Sequence, residues 1–401
     1  MQRRHDLDWV RVCAFGLLVL YHVGMYYVSW DWHVNSPHAG PALEPLMLAS
    51  APWRLSLLFL VSGAATGFLI AGAESRATHA RPRFLAARSR FLLLPLLFGM
   101  LVVVPPQSYF EVLDSRYPGG YHDGFLAFWA RYLRGDGSFC DDDGCLVLPT
   151  WNHLWFVAYL WVYTAVLWAL WRRGRPWLRR AAAMLGRCLC HPAAVLAWPA
   201  LYLGLVRAGL APRFGSTHAL ADDWYNHAQY FTVFLFGYLI AHQAPVWDAM
   251  ARARRTALVL WLGCWAVLVA AHVVAGGPPA WLRPILHMAW GLAQWSAIVA
   301  VLGFARQWAP GDGPVLRYLV PAVFPVYILH QTAIVLAAWQ LRPLALAPAF
   351  EGPLLVVLTF ASCLGGYELI RRIPVLRPLF GLRRQPAGQR TGNPATTPAE
   401  P

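Results

Sequence analysis

The sequence predicts an all-α integral membrane protein, a bundle of about ten transmembrane helices with both termini cytoplasmic. Three observations predict it. Hydrophobic residues make up 58% of the 401 residues and charged residues 13%, against roughly 45–50% and 25% in soluble domains. Apolar runs of about 20 residues, the length that crosses a bilayer as a helix, begin near Trp9, Trp53, Phe91, His153, Ala193, Tyr230, Ala257, Ile285, Leu319 and Pro353. The runs at Phe91 and Tyr230 are the short ones. With the N-terminus inside, the cytoplasmic segments hold 24 arginines and the outer loops eight, the asymmetry that orients membrane helices.

That bias accounts for the formal net charge of +14 without a nucleic-acid partner. All of the charge is arginine, because the chain has no lysine, which we read as codon bias. The basic start and apolar run resemble a signal peptide, yet no small-residue cleavage site follows Tyr27 and His22 lies inside the run, so an uncleaved first span is expected. The membrane domain covers 1–384, with one long outer loop over 105–152. The segment 385–401, rich in Pro, Gly and Thr, is expected to be a disordered cytoplasmic tail.

The first span carries the most informative spacing. Arg11 and His22 are eleven residues apart, about three turns plus 20° of a helix and roughly 16 Å of rise, so they share one face. Ionisable groups inside a membrane are costly and point into a bundle or cavity; two on one stripe suggest a polar path from the cytoplasmic edge to mid-bilayer. Asp8, three residues before Arg11, can pair with it. Leu7-Asp8-x-x-Arg11 followed by Arg11-x10-His22 resembles the signature of the membrane-bound acyltransferase 3 family, most of all its branch that acylates periplasmic glucans.

The same resemblance recurs along the chain. Phe59-x-x-Ser62-Gly63 in the second span matches a family stretch, which implies a site-lining Ser62; helix packing of small residues is the plainer reading. Arg81, Arg83, Arg88 and Arg90 precede the third span, where some charge is explained by orientation alone. A cluster at the cytoplasmic mouth would also suit the phosphates of acyl-coenzyme A, so Arg83, Arg88 and Arg90 are candidate donor ligands. The family shows two arginines three apart before a proline here, whereas this chain has Arg88, then Phe91 in the second place, with Arg90 one residue earlier.

In the outer loop, Cys140 and Cys145 can form a disulfide around Asp141-Asp142-Asp143 in an oxidising compartment. Cys188-x-Cys190 lacks zinc-site spacing, and no metal is expected. His153-Leu154-Trp155-Phe156 opens the fourth span. It is either an interfacial anchor or, as the resemblance implies, a substrate platform with Trp155 stacked on a sugar. Asp223-Trp224-x-Asn226 before Gly237-Tyr238 reads alone as a turn and helix cap; the resemblance makes Asp223 and Asn226 candidates for contacting acceptor hydroxyls. Tyr327-x-x-His330-Gln331 places a histidine in mid-span at a depth like that of His22, so the two histidines are expected to face one cavity.

The resemblance implies a multi-pass O-acyltransferase of the cell inner membrane with no bound cofactor. Acyl-coenzyme A is the co-substrate and a carbohydrate hydroxyl the acceptor. Burial disfavours the charged imidazole, so His22 would act as general base or briefly carry the acyl group as nucleophile, with Arg11 and Asp8 completing the catalytic set. Two other classes compete. A proton-coupled transporter could use His22, Arg11 and His330 as a relay, but the two related halves expected of one are not seen. A lipid-linked-sugar glycosyltransferase could use Asp141 to Asp143, and would require a divalent metal.

Overall fold

The computed structural model describes residues 3–75, 83–114, 120–141, 144–274 and 277–383. The expected tail lies outside the described residues, as do Arg81, Asp142 and Asp143; the side chains of Arg83 and Asp141 do too. The order is α1 (His5–Met25), α2 (Glu44–Ser50), α3 (Arg54–Ser75), α4 (Arg83–Phe98), α5 (Pro105–Leu113) and α6 (Phe125–Leu133). A two-stranded hairpin of β1 (Cys140–Asp141) and β2 (Gly144–Cys145) follows, then α7 (Trp155–Cys188), α8 (Pro192–Phe214), α9 (Trp224–Asn226), α10 (Thr232–Ile240), α11 (Ala244–His272), α12 (Arg283–Trp308), α13 (Pro314–Leu341), α14 (Pro348–Arg372) and α15 (Leu376–Leu379).

Nine helical runs among the described residues are long and apolar enough to cross a bilayer. The difference from ten is the run expected from Tyr230 to Ala241. There α9, a π turn at His227–Phe231 and α10 join end to end, but α10 itself has nine residues. α10 is held by backbone contact with α3. A Cβ on Gly63 would stand 1.9 Å from the Phe234 carbonyl oxygen, and one on Gly237 would stand 2.1 Å from that of Leu60. Only glycine permits this approach, so the plainer reading of the small-residue stretch in the second span is the packing one. Phe59 fills the adjoining core, its ring 4.4 Å from Phe156 and 4.9 Å from Tyr230.

α7 has 34 residues, longer than a bilayer needs. Its backbone leaves helical geometry at Gly174 (φ −124°, ψ 23°), just before Pro176, whose ring and missing N–H disrupt the preceding turn. The arginine-rich stretch from Arg172 to Arg187, which lies between two of the expected spans, continues as helix beyond the kink.

The segment 105–152 is also not a plain loop. α5 starts on Pro105-Pro106, prolines being suited to a first helical turn. α6 buries Phe128 and Tyr132 against Val112, Phe139 and Leu148. The Tyr132 hydroxyl donates to the carbonyl of Met100 (2.9 Å) and accepts from the N–H of Thr150 (3.0 Å), tying this cap to the membrane helices. Arg131 hydrogen-bonds Asp136 at 2.7 Å and holds its carboxyl down at about 2. Cys140 and Cys145 form a disulfide across the hairpin. Beneath the cap, α4 passes into α5 through a π turn at Gly99–Val103, the kind of irregularity that often borders a site. Thr332 Oγ1 donates to the Val103 carbonyl (2.7 Å) and accepts from Gln107 Nε2 (2.7 Å).

Candidate active site

The stripe predicted on α1 ends at a cavity of about 750 Å³. Its wall includes His22, Arg54, His153, Trp155, Tyr327 and Gln331, together with Val147, Pro149, Thr150 and Trp151 of the cap and Thr217, His218 and Ala219.

At its floor His22 Nδ1 lies 2.8 Å from Nε2 of His330 on α13, with the rings stacked at 5.0 Å. His330 is fully buried (0% exposed) and stands behind His22. Its Nδ1 lies 2.6 Å from the Tyr327 carbonyl oxygen. A carbonyl can only accept, so the His330 proton is on Nδ1 and its Nε2 is bare. His22 must therefore donate from Nδ1, which leaves the lone pair on Nε2, the ring nitrogen this pair does not use. This chain of two bonds fixes the tautomer and the direction of the ring that lines the cavity.

His153 completes a three-helix cluster. Its Nε2 donates to the Ile328 carbonyl at 3.2 Å, its ring meets His330 edge-on at 5.0 Å, and its own carbonyl accepts from the Tyr327 hydroxyl at 2.5 Å. Gln331 Nε2 donates to His33 Nε2 (2.6 Å), and His33 Nδ1 lies 2.5 Å from Glu111 Oε2. Neither His33 nor Glu111 stood out in the sequence, because each sits outside any motif.

At the other end of α1, Asp8 Oδ1 is 3.9 Å from Arg11 Nη2, and Asp8 Oδ2 accepts a 2.8 Å bond from Arg3 Nε. The Nε atoms of Arg11 and Arg88 are both buried without partners, and the two guanidinium charges are near enough to act on each other. Arg90 is exposed. The expected polar path between Arg11 and His22 is interrupted: Phe15 and Leu18, on the same stripe, are buried, Phe15 against Tyr327 with ring centroids 5.3 Å apart. Apolar packing between helices fills the stripe where the spacing alone implied continuity.

Ser62 is outside the cavity wall, its carbonyl accepting from Thr66. Asp223 and Asn226, expected against acceptor hydroxyls, are both 0% exposed and stand behind the wall. Asp223 accepts from the Tyr159 hydroxyl (2.5 Å), from the N–H of His218 (3.1 Å) and Thr217 (3.3 Å), and from Asn226 Nδ2 (2.8 Å). Those bonds hold a loop in which His218, Leu220 and Asp222 all take positive φ (56°, 66° and 61°), conformations that cost about 1 kcal/mol or more each without glycine. The loop lays His218 flat on Trp155, ring centroids 4.1 Å apart at 24°. One face of the Trp155 platform is thus covered, and burial keeps the His218 imidazole below its ordinary pKa. Asp223→Ala should lower the thermal unfolding midpoint by several degrees, as expected from losing a buried carboxylate with about 3 kcal/mol of hydrogen bonding. Scanning fluorimetry of the detergent-solubilised protein checks this, and an unchanged midpoint would remove the structural role.

Arg54 was passed over in the sequence as one of the eight outer arginines. It is 9% exposed and lines the cavity, its guanidinium carbon 3.2 Å above the Tyr21 ring. A cation two residues into an apolar run was the available signal.

A bundle of membrane helices enclosing a hydrogen-bonded histidine pair beside a polar and aromatic cavity defines a multi-pass membrane protein with a buried polar centre. The family model described as "Acyltransferase domain" matches residues 4–368, and the chain belongs to this acyltransferase 3 family. No curated protein and no solved structure matches it.

Proposed function

We propose that the protein is a membrane O-acyltransferase that moves an acetyl or succinyl group from cytoplasmic acyl-coenzyme A to a hydroxyl of a periplasmic or cell-surface carbohydrate, in the inner membrane. The observation that supports it most is the Tyr327 carbonyl–His330–His22 chain, which leaves His22 Nε2 as an acceptor at the floor of a cavity large enough for a sugar. Nε2 takes the hydroxyl proton while the hydroxyl oxygen bonds to the thioester carbon. The carbon–sulfur bond then breaks, and the thiolate leaves with the proton from His22. An acyl-histidine route uses the same lone pair first on carbon, and the hydroxyl second. The half-buried Arg11 and Arg88, two cations with unpartnered nitrogens at the opposite end of α1, suit the donor's phosphates.

Purified protein in lipid nanodiscs, given radiolabelled acetyl- or succinyl-coenzyme A and a panel of glucans, should place label on sugar. Folded protein that labels none of them with either donor would overturn the assignment. Arg11→Ala and Arg88→Ala should each raise the donor KM about tenfold, the equivalent of one charge-assisted contact, with kcat changed less than about twofold. A donor KM equal to that of the wild type would remove these arginines from the donor site.

A further inference from the structure

One buried cation has no use in the mechanism so far. Arg54 is nine-tenths buried, and its Nε and Nη1 are both buried without a hydrogen-bond partner. Among the described residues no carboxylate forms an ion pair with it; only the tyrosines Tyr21 and Tyr230 approach it favourably. Removing a guanidinium from water without an anion is expensive. The face of Tyr21 offsets part of that cost, about 2 kcal/mol for a desolvated cation–π pair, and leaves the N–H groups of Nε and Nη1 unsatisfied. Such a group is built for an anion that arrives later.

Its position says where that anion forms. Tyr21, on which Arg54 stacks, directly precedes His22, and all three residues line one cavity. The Arg54 charge also reaches the His22 ring. Negative charge appears beside His22 when the hydroxyl adds to the acyl carbon and the carbonyl electron pair moves onto oxygen.

We propose that Arg54 is a further catalytic residue, whose guanidinium N–H groups donate to the acyl carbonyl oxygen as it becomes the oxyanion of the tetrahedral intermediate. This rests on the acyltransferase reading. The oxyanion collapses when its pair re-forms the carbonyl and expels the thiolate, so Arg54 exchanges no proton and is reset by product departure. A fixed donor aimed at a developing oxyanion is worth about 10²- to 10³-fold in kcat.

The test compares wild type with Arg54→Gln, Arg54→Lys, Arg54→Met and His22→Ala in nanodiscs, with acetyl- and succinyl-coenzyme A as donors. Arg54→Gln should lower kcat about 10²- to 10³-fold with donor KM within about threefold, and by the same factor for every donor the wild type accepts. Arg54→Lys should recover roughly tenfold of that loss, since it restores a charge without the planar fork. Arg54→Met should unfold at the wild-type temperature or higher, because it removes an unpaired buried charge. A loss confined to the succinyl donor, or one in KM alone, would make Arg54 a carboxylate-recognition residue and overturn the proposal. Unchanged kcat, or Arg54→Met unfolding more than about 5 °C below wild type, would also overturn it. A wild type with no transfer defeats the acyltransferase reading and this proposal together; an active wild type with His22→Ala slowed about 10³-fold or more and fully active Arg54→Gln defeats this proposal alone.

Discussion

His22→Ala should transfer acyl groups about 10³- to 10⁴-fold more slowly than wild type, the upper range for removal of a general base, while donor KM stays the same. His22 touches neither Arg11 nor Arg88, so donor binding has no reason to change. The partner variant sharpens the expectation. His330→Ala removes the acceptor that fixes the His22 proton on Nδ1, leaving the ring free to turn and to change tautomer, and should cost about 10²-fold. Because His330 acts only through His22, the double variant should be no slower than His22→Ala by itself. Losses that add in the double variant would show that the histidines act separately, and near wild-type turnover in His22→Ala would end its catalytic assignment. Steady-state transfer of labelled donor measures all three.

Gly63→Val should cost about 3 kcal/mol or more and strip most folded protein from the membrane, since nothing near its Cβ can yield. The obstacle is the Phe234 carbonyl oxygen of α10, 1.9 Å from the added atom, and the reciprocal clash at Gly237 is with the backbone of Leu60. A flexible side chain could rotate away; two helix backbones cannot. Gly16 and Gly263, with nothing within 4 Å of a built Cβ, are the controls, and their alanine variants should be produced at wild-type levels. Fluorescence-detected size exclusion of tagged variants distinguishes these outcomes. A monodisperse Gly63→Val protein at normal yield would mean that α3 and α10 separate at little cost.

Much of this molecule could be read in one dimension. Nine of the expected apolar runs became membrane-length helices because twenty apolar residues in lipid have few alternatives to helix. The spacing of Arg11 and His22 placed them on one stripe for the same reason. What a linear reading lacks is the partner. His22 and His330 are 308 residues apart, and only the packed bundle makes them a pair. Asp223 and Asn226 have the chemistry to hold a sugar, yet the fold spends it on a strained loop; burial, invisible in the sequence, decides between those uses. Arg54 was hidden by its bookkeeping as an outer charge. The short helices α5 and α6 were missed because nine residues each carry too little periodicity to stand out.

Phe15 and Leu18, packed between Arg11 and His22, bear on the membrane as an electrical insulator. A polar thread joining the two ends of α1 would short-circuit the potential across the bilayer, at about 2.3 kcal/mol released for each proton leaking through 100 mV. Hydrocarbon at that point resists ions and water wires, whereas an acetyl thioester on a slender arm carries no net charge. On the proposed reading, one pair of apolar side chains therefore decouples the export of carbon from the leakage of charge, and lets a cell carry many copies of this protein without discharging its membrane.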